Sequence, residues 1–162
     1  ISNEINSVHA SEPLHYEAEL CFVYEQGRFS AVGFGLDLTK RAMQSNLKEK
    51  GLPWERAKAF DGSAVFSDFS PLPVDSLESL SLLLTIDGKP IQQGGIGLMM
   101  YKPETILAQL QQFMSLEDGD IVMTGTPKGV GLIEAGASFS GEVYYQGEES
   151  SMTLIKQLWL AK

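Results

Sequence analysis

The segment HYEAEL, residues 15–20, places Glu17 and Glu19 one residue apart at the entrance to the apolar run CFVY. In an extended strand alternate side chains share a face, so His15, Glu17 and Glu19 line one side and Tyr16, Ala18 and Leu20 the other. Two like charges beside a buried strand repel, and burial worsens the repulsion unless a cation neutralises them. Ligands that are all carboxylate oxygens suit Mg²⁺, Mn²⁺ or Ca²⁺ rather than zinc. Read alone, the pair fits a solvated strand face as well, and that is the commoner arrangement. A third carboxylate shifts the balance. Asp37 ends the run GFGLD, where it could cap a following helix. If residues 15–25 and 28–36 pair as strands, Asp37 also emerges at the sheet end where the two glutamates begin. Arg41 and Gln44, three apart on the next helix, share a face. They either point at whatever Asp37 holds or are plain surface residues. Taken singly, Lys58 in ERAKAF reads as a surface lysine. Thr126, in the Gly-rich TPKGVG, reads as part of a turn.

The elements that must position these side chains follow from pattern. Residues 1–14 are polar and expected to be irregular, with Pro13 marking an extended entry. Residues 15–25 and 28–36 read as strands joined by a turn at Gln26-Gly27. Residues 39–50 have helical composition, with Ala42, Met43 and Leu47 apolar and Gly51 as the stop. Residues 51–76 contain Pro53, Pro71 and Pro73 and read as a loop. A 26-residue irregular segment inside a compact domain is unusual and often functional. Residues 79–86 form a strand that returns through an Asp87-Gly88 turn over 89–93. Residues 103–114 make the clearest helix, with Pro103 in its first turn and a stripe of Ile106, Leu107, Leu110, Phe113 and Met114. A short buried strand is expected at 120–124, and strands at 138–145 and 151–160. The expected class is mostly β with a few helices, an α+β domain spanning 1–162.

Composition narrows the partners. The 162 residues are 43% hydrophobic and 20% charged, with 16 glycines, which suits one β-rich domain with many turns. A formal net charge of −9 repels nucleic acid and anionic membranes, so neither is an expected partner. An anionic substrate would then need a local positive device. The single cysteine, Cys21, excludes a disulfide framework and points to a reducing, cytoplasmic setting. No apolar run reaches transmembrane length and no signal-peptide pattern is present.

Four motifs in order resemble those of the fumarylacetoacetate hydrolase family, in particular its acylpyruvase and oxaloacetate decarboxylase branch. They are HYEAEL, GFGLDLTKRAMQ, KGLPWERAKAFDGS and GDIVMTGTPKGVG. The resemblance covers nearly the whole chain and implies a mixed, roll-like β architecture, usually assembled as a homodimer. It further implies that Glu17, Glu19 and Asp37 ligate a metal, Mg²⁺ or alternatively Mn²⁺ or Ca²⁺. Arg41 and Gln44 would contact the substrate's polar groups, and Lys58 would be the positive group beside the reacting carbonyl or carboxylate. Thr126 would hold the substrate carboxylate, helped by backbone N–H groups of GTPKGVG. The implied substrate is a small 2-oxo acid, such as an acylpyruvate, a fumarylacetoacetate-like diketo acid or oxaloacetate. A 2-oxo acid chelates a divalent cation through carboxylate and keto oxygens, which polarises the carbonyl for C–C cleavage.

Two departures from the family pattern matter. Lys40 stands where the family usually has Ala, and it is expected to point away from Arg41's target. The family's hydrolases activate water with a His–Glu pair on a lid well upstream of the Glu-x-Glu strand, whereas 16 residues precede Glu17. His9 and Glu12 have an H-x-x-E spacing, yet they lie too close to Glu17 to match that lid, so the lid is expected to be lacking. His15 shares the glutamates' face and reads as a supporting residue rather than a ligand. Two alternatives to hydrolysis or decarboxylation therefore stay open. One is isomerase or hydratase activity on aromatic-degradation intermediates. The other is a non-catalytic module that binds metal or a 2-oxo acid.

Overall fold

The computed structural model describes residues 3–72, 77–147 and 151–162. The amino-terminal part contains β1 (Glu4–Ile5), β2 (Val8–His9), β3 (Glu12–Pro13), β4 (His15–Tyr16), β5 (Ala18–Glu25) and β6 (Arg28–Asp37). Helix α1 (Arg41–Glu49) follows, then a 3₁₀ turn at Glu55–Ala57 and strand β7 (Ala64–Pro71). The remainder comprises β8 (Leu80–Ile86), β9 (Lys89–Gly95), α2 (Pro103–Leu110), β10 (Ile121–Met123), β11 (Gly131–Leu132), β12 (Ser138–Gln146) and β13 (Ser151–Ala161). Two-residue turns with both φ values positive fold three of the hairpins: Ala10-Ser11, Gln26-Gly27 and Asp87-Gly88. Such turns match the right-handed twist of paired strands.

Two larger sheets result, with orders β10-β5-β6-β7 and β1-β13-β12-β8-β9. Pairing is antiparallel throughout both, except that β1 runs parallel to β13. The core lies between them. Phe22, Val32, Phe34 and Leu36 from one sheet meet Leu82, Leu84, Phe139, Val143 and Trp159 from the other. Phe34 and Trp159 rings sit 5.8 Å apart, and Tyr16 meets Phe139 edge-on at 5.5 Å. Alternation produces this layer, since every second residue of β5, β6 and β12 turns inward.

The mostly-β class with two helices agrees with the sequence expectation, and the differences have local causes. The amino-terminal stretch is not irregular. Ile5 and Leu14 are buried, β1 extends the β13 edge, and β2 pairs with β3. The segment 51–76 is not one loop, because Val65, Phe66 and Phe69 build β7 against β6. Its position at a sheet edge tolerates Pro71 at its end; residues 73–76 lie outside the described residues. Helix α2 stops at Leu110, leaving Phe113 and Met114 exposed, so the apolar stripe is shorter than the pattern predicts. In α1 the buried position is Gln44, while Ala42 is exposed and Met43 and Leu47 are half-buried.

Lys40 turns away from the residues that flank it, as expected. Its side chain is buried, ion-paired with Glu12 at 3.1 Å and seated over the Phe60 ring at 4.9 Å. His9 packs on the other part of the same cluster, 4.7 Å from Phe60. Glu12 is thus committed to Lys40, and the H-x-x-E spacing is spent on anchoring the β2–β3 hairpin. Lys40→Met keeps the apolar stem and loses the ion pair. With Glu12 partly solvated, we expect a loss of about 1–2 kcal/mol, read as a melting-point drop of roughly 3–6 °C. A stronger packing constraint sits at Gly141, where an added Cβ would lie 2.6 Å from the Phe34 ring. Gly141→Ala should cost about 1–3 kcal/mol in a denaturant titration, because Phe34 is fully buried and cannot step aside.

Candidate metal centre

Glu17 occupies the break between β4 and β5, and its carbonyl accepts the Asp37 N–H at 2.9 Å. Glu19 lies opposite Gly35 in the β5–β6 register. Glu17, Glu19 and Asp37 therefore stand on neighbouring positions of one sheet face, and a carboxylate oxygen from each lies within 4.8 Å of the others. Asp37 belongs to the strand and does not cap α1, whose N-cap is Lys40 without a side-chain cap bond. Gly35 gives the cluster its floor: a Cβ there would collide with Cys21 Sγ.

Cationic and N–H groups converge on these oxygens. Lys58, one residue past the 3₁₀ turn, reaches Glu17 Oε2 at 2.8 Å and Asp37 Oδ2 at 2.5 Å. Arg41 Nη1 donates to Glu17 Oε1 at 3.3 Å and to Gln44 Oε1 at 3.1 Å. The Gly125 N–H donates to Glu19 Oε2 at 2.6 Å. Gly125 adopts φ +98°, a left-handed conformation that glycine enters without steric cost, which lets the turn aim its N–H at Glu19.

All seven site residues expected from the sequence fall in this region. Glu17, Glu19, Asp37, Arg41, Gln44 and Lys58 are joined directly through the contacts above. Thr126 is brought alongside by Gly125, and its hydroxyl accepts the Gln92 amide at 2.9 Å while keeping its own hydrogen to donate. Sequence reasoning missed Gln92. This fully buried side chain ties the Ala18 N–H, Thr126 and the Pro127 carbonyl together at 2.8–3.0 Å. Gln92 and Gln93 are adjacent in β9, and nothing in the sequence distinguishes the one that turns inward. His15 stands at the edge of the site, and its buried Nδ1 has no hydrogen-bond partner among the described residues.

The electrostatics follow from burial. Glu19, 4% exposed, is pushed up to about 7 by burial and by repulsion from Asp37 and Glu17, against the pull of Gly125 and Lys58. Burial also raises Asp37, partly offset by Lys58. Burial would lower the Lys58 ammonium, but its bonds to Asp37 and Glu17 win and hold it above the ordinary lysine value. Burial and Arg41 together lower His15, with Glu17 opposing. Three oxygen donors, two of them buried, fit a hard divalent cation.

Residues 3–156 match the family described as fumarylacetoacetate (FAA) hydrolase C-terminal. The chain belongs to this family. Among related members, oxaloacetate tautomerase YcgM of Escherichia coli K12 is 37% identical over 136 residues, 76% of this chain and 62% of that protein. Human mitochondrial oxaloacetate tautomerase FAHD1 is 36% identical over 133 residues, 75% of this chain and 60% of its own length. The chain thus spans about 60% of the length of these fumarylacetoacetate hydrolase relatives. A fumarylpyruvate hydrolase from Ralstonia is 30% identical over 140 residues, covering 80% of this chain and 73% of that one. Fumarylpyruvate hydrolase from Pseudomonas aeruginosa, solved with Mn²⁺ and pyruvate, superposes with TM-score 0.84 at 27% identity. That match covers 99% of this chain and 70% of the other.

A carboxylate raised by folding makes the metal-free protein less stable as pH rises. The Glu19 contribution is fully present below its unfolded value near 4.5 and lost as pH passes about 7. In chelator, the melting temperature should rise by several degrees as pH falls from 8 to 5.5. Glu19→Gln should flatten that rise; an unchanged slope in the variant would locate the titrating group elsewhere.

Proposed function

We propose that this chain is the catalytic domain of a divalent-metal-dependent enzyme that cleaves a C–C bond of a small 2-oxo acid, by hydrolysis or decarboxylation. The observation that carries this reading is the convergence of Glu17, Glu19 and Asp37 within 4.8 Å, with Lys58 against two of them. These three carboxylates would hold Mg²⁺ or Mn²⁺, with Ca²⁺ the other oxygen-preferring candidate. Such a cation, when bound, supplies Lewis-acid polarisation of a carbonyl. The chain's own residues would do the rest. The Lys58 ammonium, held charged by its carboxylate contacts, offers positive charge where negative charge develops beside the substrate carbonyl. Arg41 and Gln44, bonded to each other, would orient the substrate's polar oxygens. Thr126 would donate its hydroxyl hydrogen to the substrate carboxylate, alongside N–H groups of the 125–131 turn. The P. aeruginosa relative solved with Mn²⁺ and pyruvate supports both the ion class and the substrate class.

A second reading is keto–enol tautomerisation of oxaloacetate, favoured by the names of the E. coli and human relatives. It uses the same charge arrangement but moves a proton instead of breaking a C–C bond. The reading includes a homodimer, consistent with exposed apolar side chains at Leu98, Met100 and Tyr101. It also includes a cytoplasmic setting, consistent with the free, buried Cys21. No helix among the described residues is long and apolar enough to cross a membrane.

Calorimetry with Mn²⁺ and oxalate, an enolate mimic of pyruvate, tests the site. Oxalate should bind only in the presence of metal. Glu17→Gln combined with Asp37→Asn should weaken Mn²⁺ binding beyond the roughly 10–100-fold typical of residues that merely orient a ligand. A double variant whose melt still rises with Mn²⁺ would put the metal elsewhere. Turnover of acetylpyruvate and oxaloacetate, followed by pyruvate release and by enol absorbance, separates cleavage from tautomerisation.

A further inference from the structure

Gln92 is fully buried in β9, and its side chain bonds only to distant parts of the chain. Its Oε1 accepts the Ala18 N–H at 3.0 Å. Its Nε2 donates to Thr126 Oγ1 at 2.9 Å and to the Pro127 carbonyl at 2.8 Å. The amide can take only this orientation, because a backbone N–H only donates and a carbonyl only accepts. Both Nε2 hydrogens are therefore used, and the Thr126 hydroxyl faces a donor. It accepts from Gln92 and has its own hydrogen to give elsewhere. Ala18 lies between Glu17 and Glu19, so one amide joins the carboxylate-bearing strand to that hydroxyl. The turn has other fastenings. The Thr124 hydroxyl donates to the Leu20 carbonyl at 2.8 Å, and the Gly125 N–H to Glu19 at 2.6 Å. Pro127 rests on Gly94, where a Cβ would come within 3.0 Å of it. Gly129 rests on the Ile91 carbonyl, which a Cβ would approach to 2.5 Å.

We infer that Gln92 is a positioning residue for the substrate carboxylate, acting through Thr126 by fixing that hydroxyl as a hydrogen-bond donor. This inference rests on the reading above, in which Thr126 holds the carboxylate of a 2-oxo acid bound beside Glu17, Glu19 and Asp37. A hydroxyl without a fixed neighbour turns among its staggered directions and serves donors and acceptors alike. With Gln92 in place it serves an acceptor, and an ionised carboxylate is an acceptor only. The bond from Gln92 also polarises the hydroxyl and strengthens the hydrogen it offers. A ligand presenting an N–H or O–H at the same point would meet a hydrogen instead of a lone pair. Recognition of the carboxylate thus depends on a side chain that touches no substrate atom.

The test is calorimetry with oxalate on the Mn²⁺-loaded protein, comparing Gln92→Met, Thr126→Val, Thr126→Ser and the paired variants. Gln92→Met should weaken oxalate about three- to tenfold. About threefold comes from releasing the hydroxyl among three staggered directions, and the rest from losing its polarising donor. Mn²⁺ alone should bind Gln92→Met as it binds the unsubstituted protein. Added to Thr126→Val, Gln92→Met should cause no further loss of oxalate affinity. Added to Thr126→Ser, which keeps the hydroxyl, it should cost the same factor as in the unsubstituted protein. A loss that persists with Thr126→Val would mean that Gln92 holds the turn as a whole. Weakened Mn²⁺ binding would mean that it acts on β5 through Ala18. Either result overturns the inference, as does unchanged oxalate affinity in Gln92→Met. If Gln92→Met does not fold, the native amide still reports through NMR of the Mg²⁺-loaded protein. The Gln92 Nε2 proton aimed at Thr126 should move downfield when oxalate is added, because a hydroxyl that is donating to an anion accepts more strongly. The movement should vanish in Thr126→Val, and its absence from the unsubstituted protein would overturn the inference while leaving the metal reading standing. Failure of oxalate to bind the unsubstituted protein with Mn²⁺ would overturn both.

Discussion

Mutual repulsion of three carboxylates is the constraint around which this domain is organised. Glu17 and Glu19 are 8% and 4% exposed, and Asp37 faces them across the β5–β6 pair. Burying like charges this close costs more than the hydrophobic contacts of one strand return, unless positive charge and N–H groups meet every oxygen. The chain recruits them from widely separated positions: Lys58 after a 3₁₀ turn, Arg41 from α1, and the Gly125 N–H from the turn after β10. Each of these segments is fastened in turn. Lys40 bonds its N–H to the Ala57 carbonyl, so the start of α1 and the segment carrying Lys58 are one unit. Gln92 holds the 124–127 turn against β5.

That dependence explains what the sequence made legible. Glu17, Glu19 and Asp37 could be grouped because strand alternation and hairpin pairing are local rules, and a two-residue turn fixed the register between β5 and β6. Arg41 and Gln44 followed from helical spacing. Lys58 and Thr126 could not be placed by any local rule, since they arrive through loops, and only their resemblance to family motifs put them near the carboxylates. The strand β7 was hidden for the opposite reason: its flanking prolines signal a loop, while an edge position tolerates a terminal proline. Gln92 was invisible because its role is set by the backbone it bridges, not by its neighbours in sequence.

The charge distribution carries a functional consequence. With a net charge of −9, the surface as a whole disfavours anions, yet any 2-oxo acid is one. Arg41, nearly half exposed, and the half-buried Lys58 are the cations nearest the carboxylates, and both already have partners there. Three acids against two bases leave the cluster short of positive charge by about one unit. A divalent cation would reverse that sign and turn a site that repels a carboxylate into one that attracts it. The acidic surface and the triad are therefore compatible with an anionic substrate only when the metal is counted as part of the site.

Strand β5 is what allows polar and apolar requirements to be met a few ångströms apart. Glu17, just before the strand, and its residues Glu19 and Cys21 face the carboxylate cluster, while Ala18, Leu20 and Phe22 face the core. A strand has a period of two, so the boundary between these environments is only one backbone thick. Where β10 ends, that boundary is no longer covered by a pairing strand. Gly125 and Thr126 take over, presenting an N–H to Glu19 and lining an apolar cavity together with Leu20, Leu82 and Ile106. A side chain at position 125 could not easily adopt the required φ of +98°. The sharpest backbone demand beside the carboxylate cluster thus falls on a residue with no functional group at all.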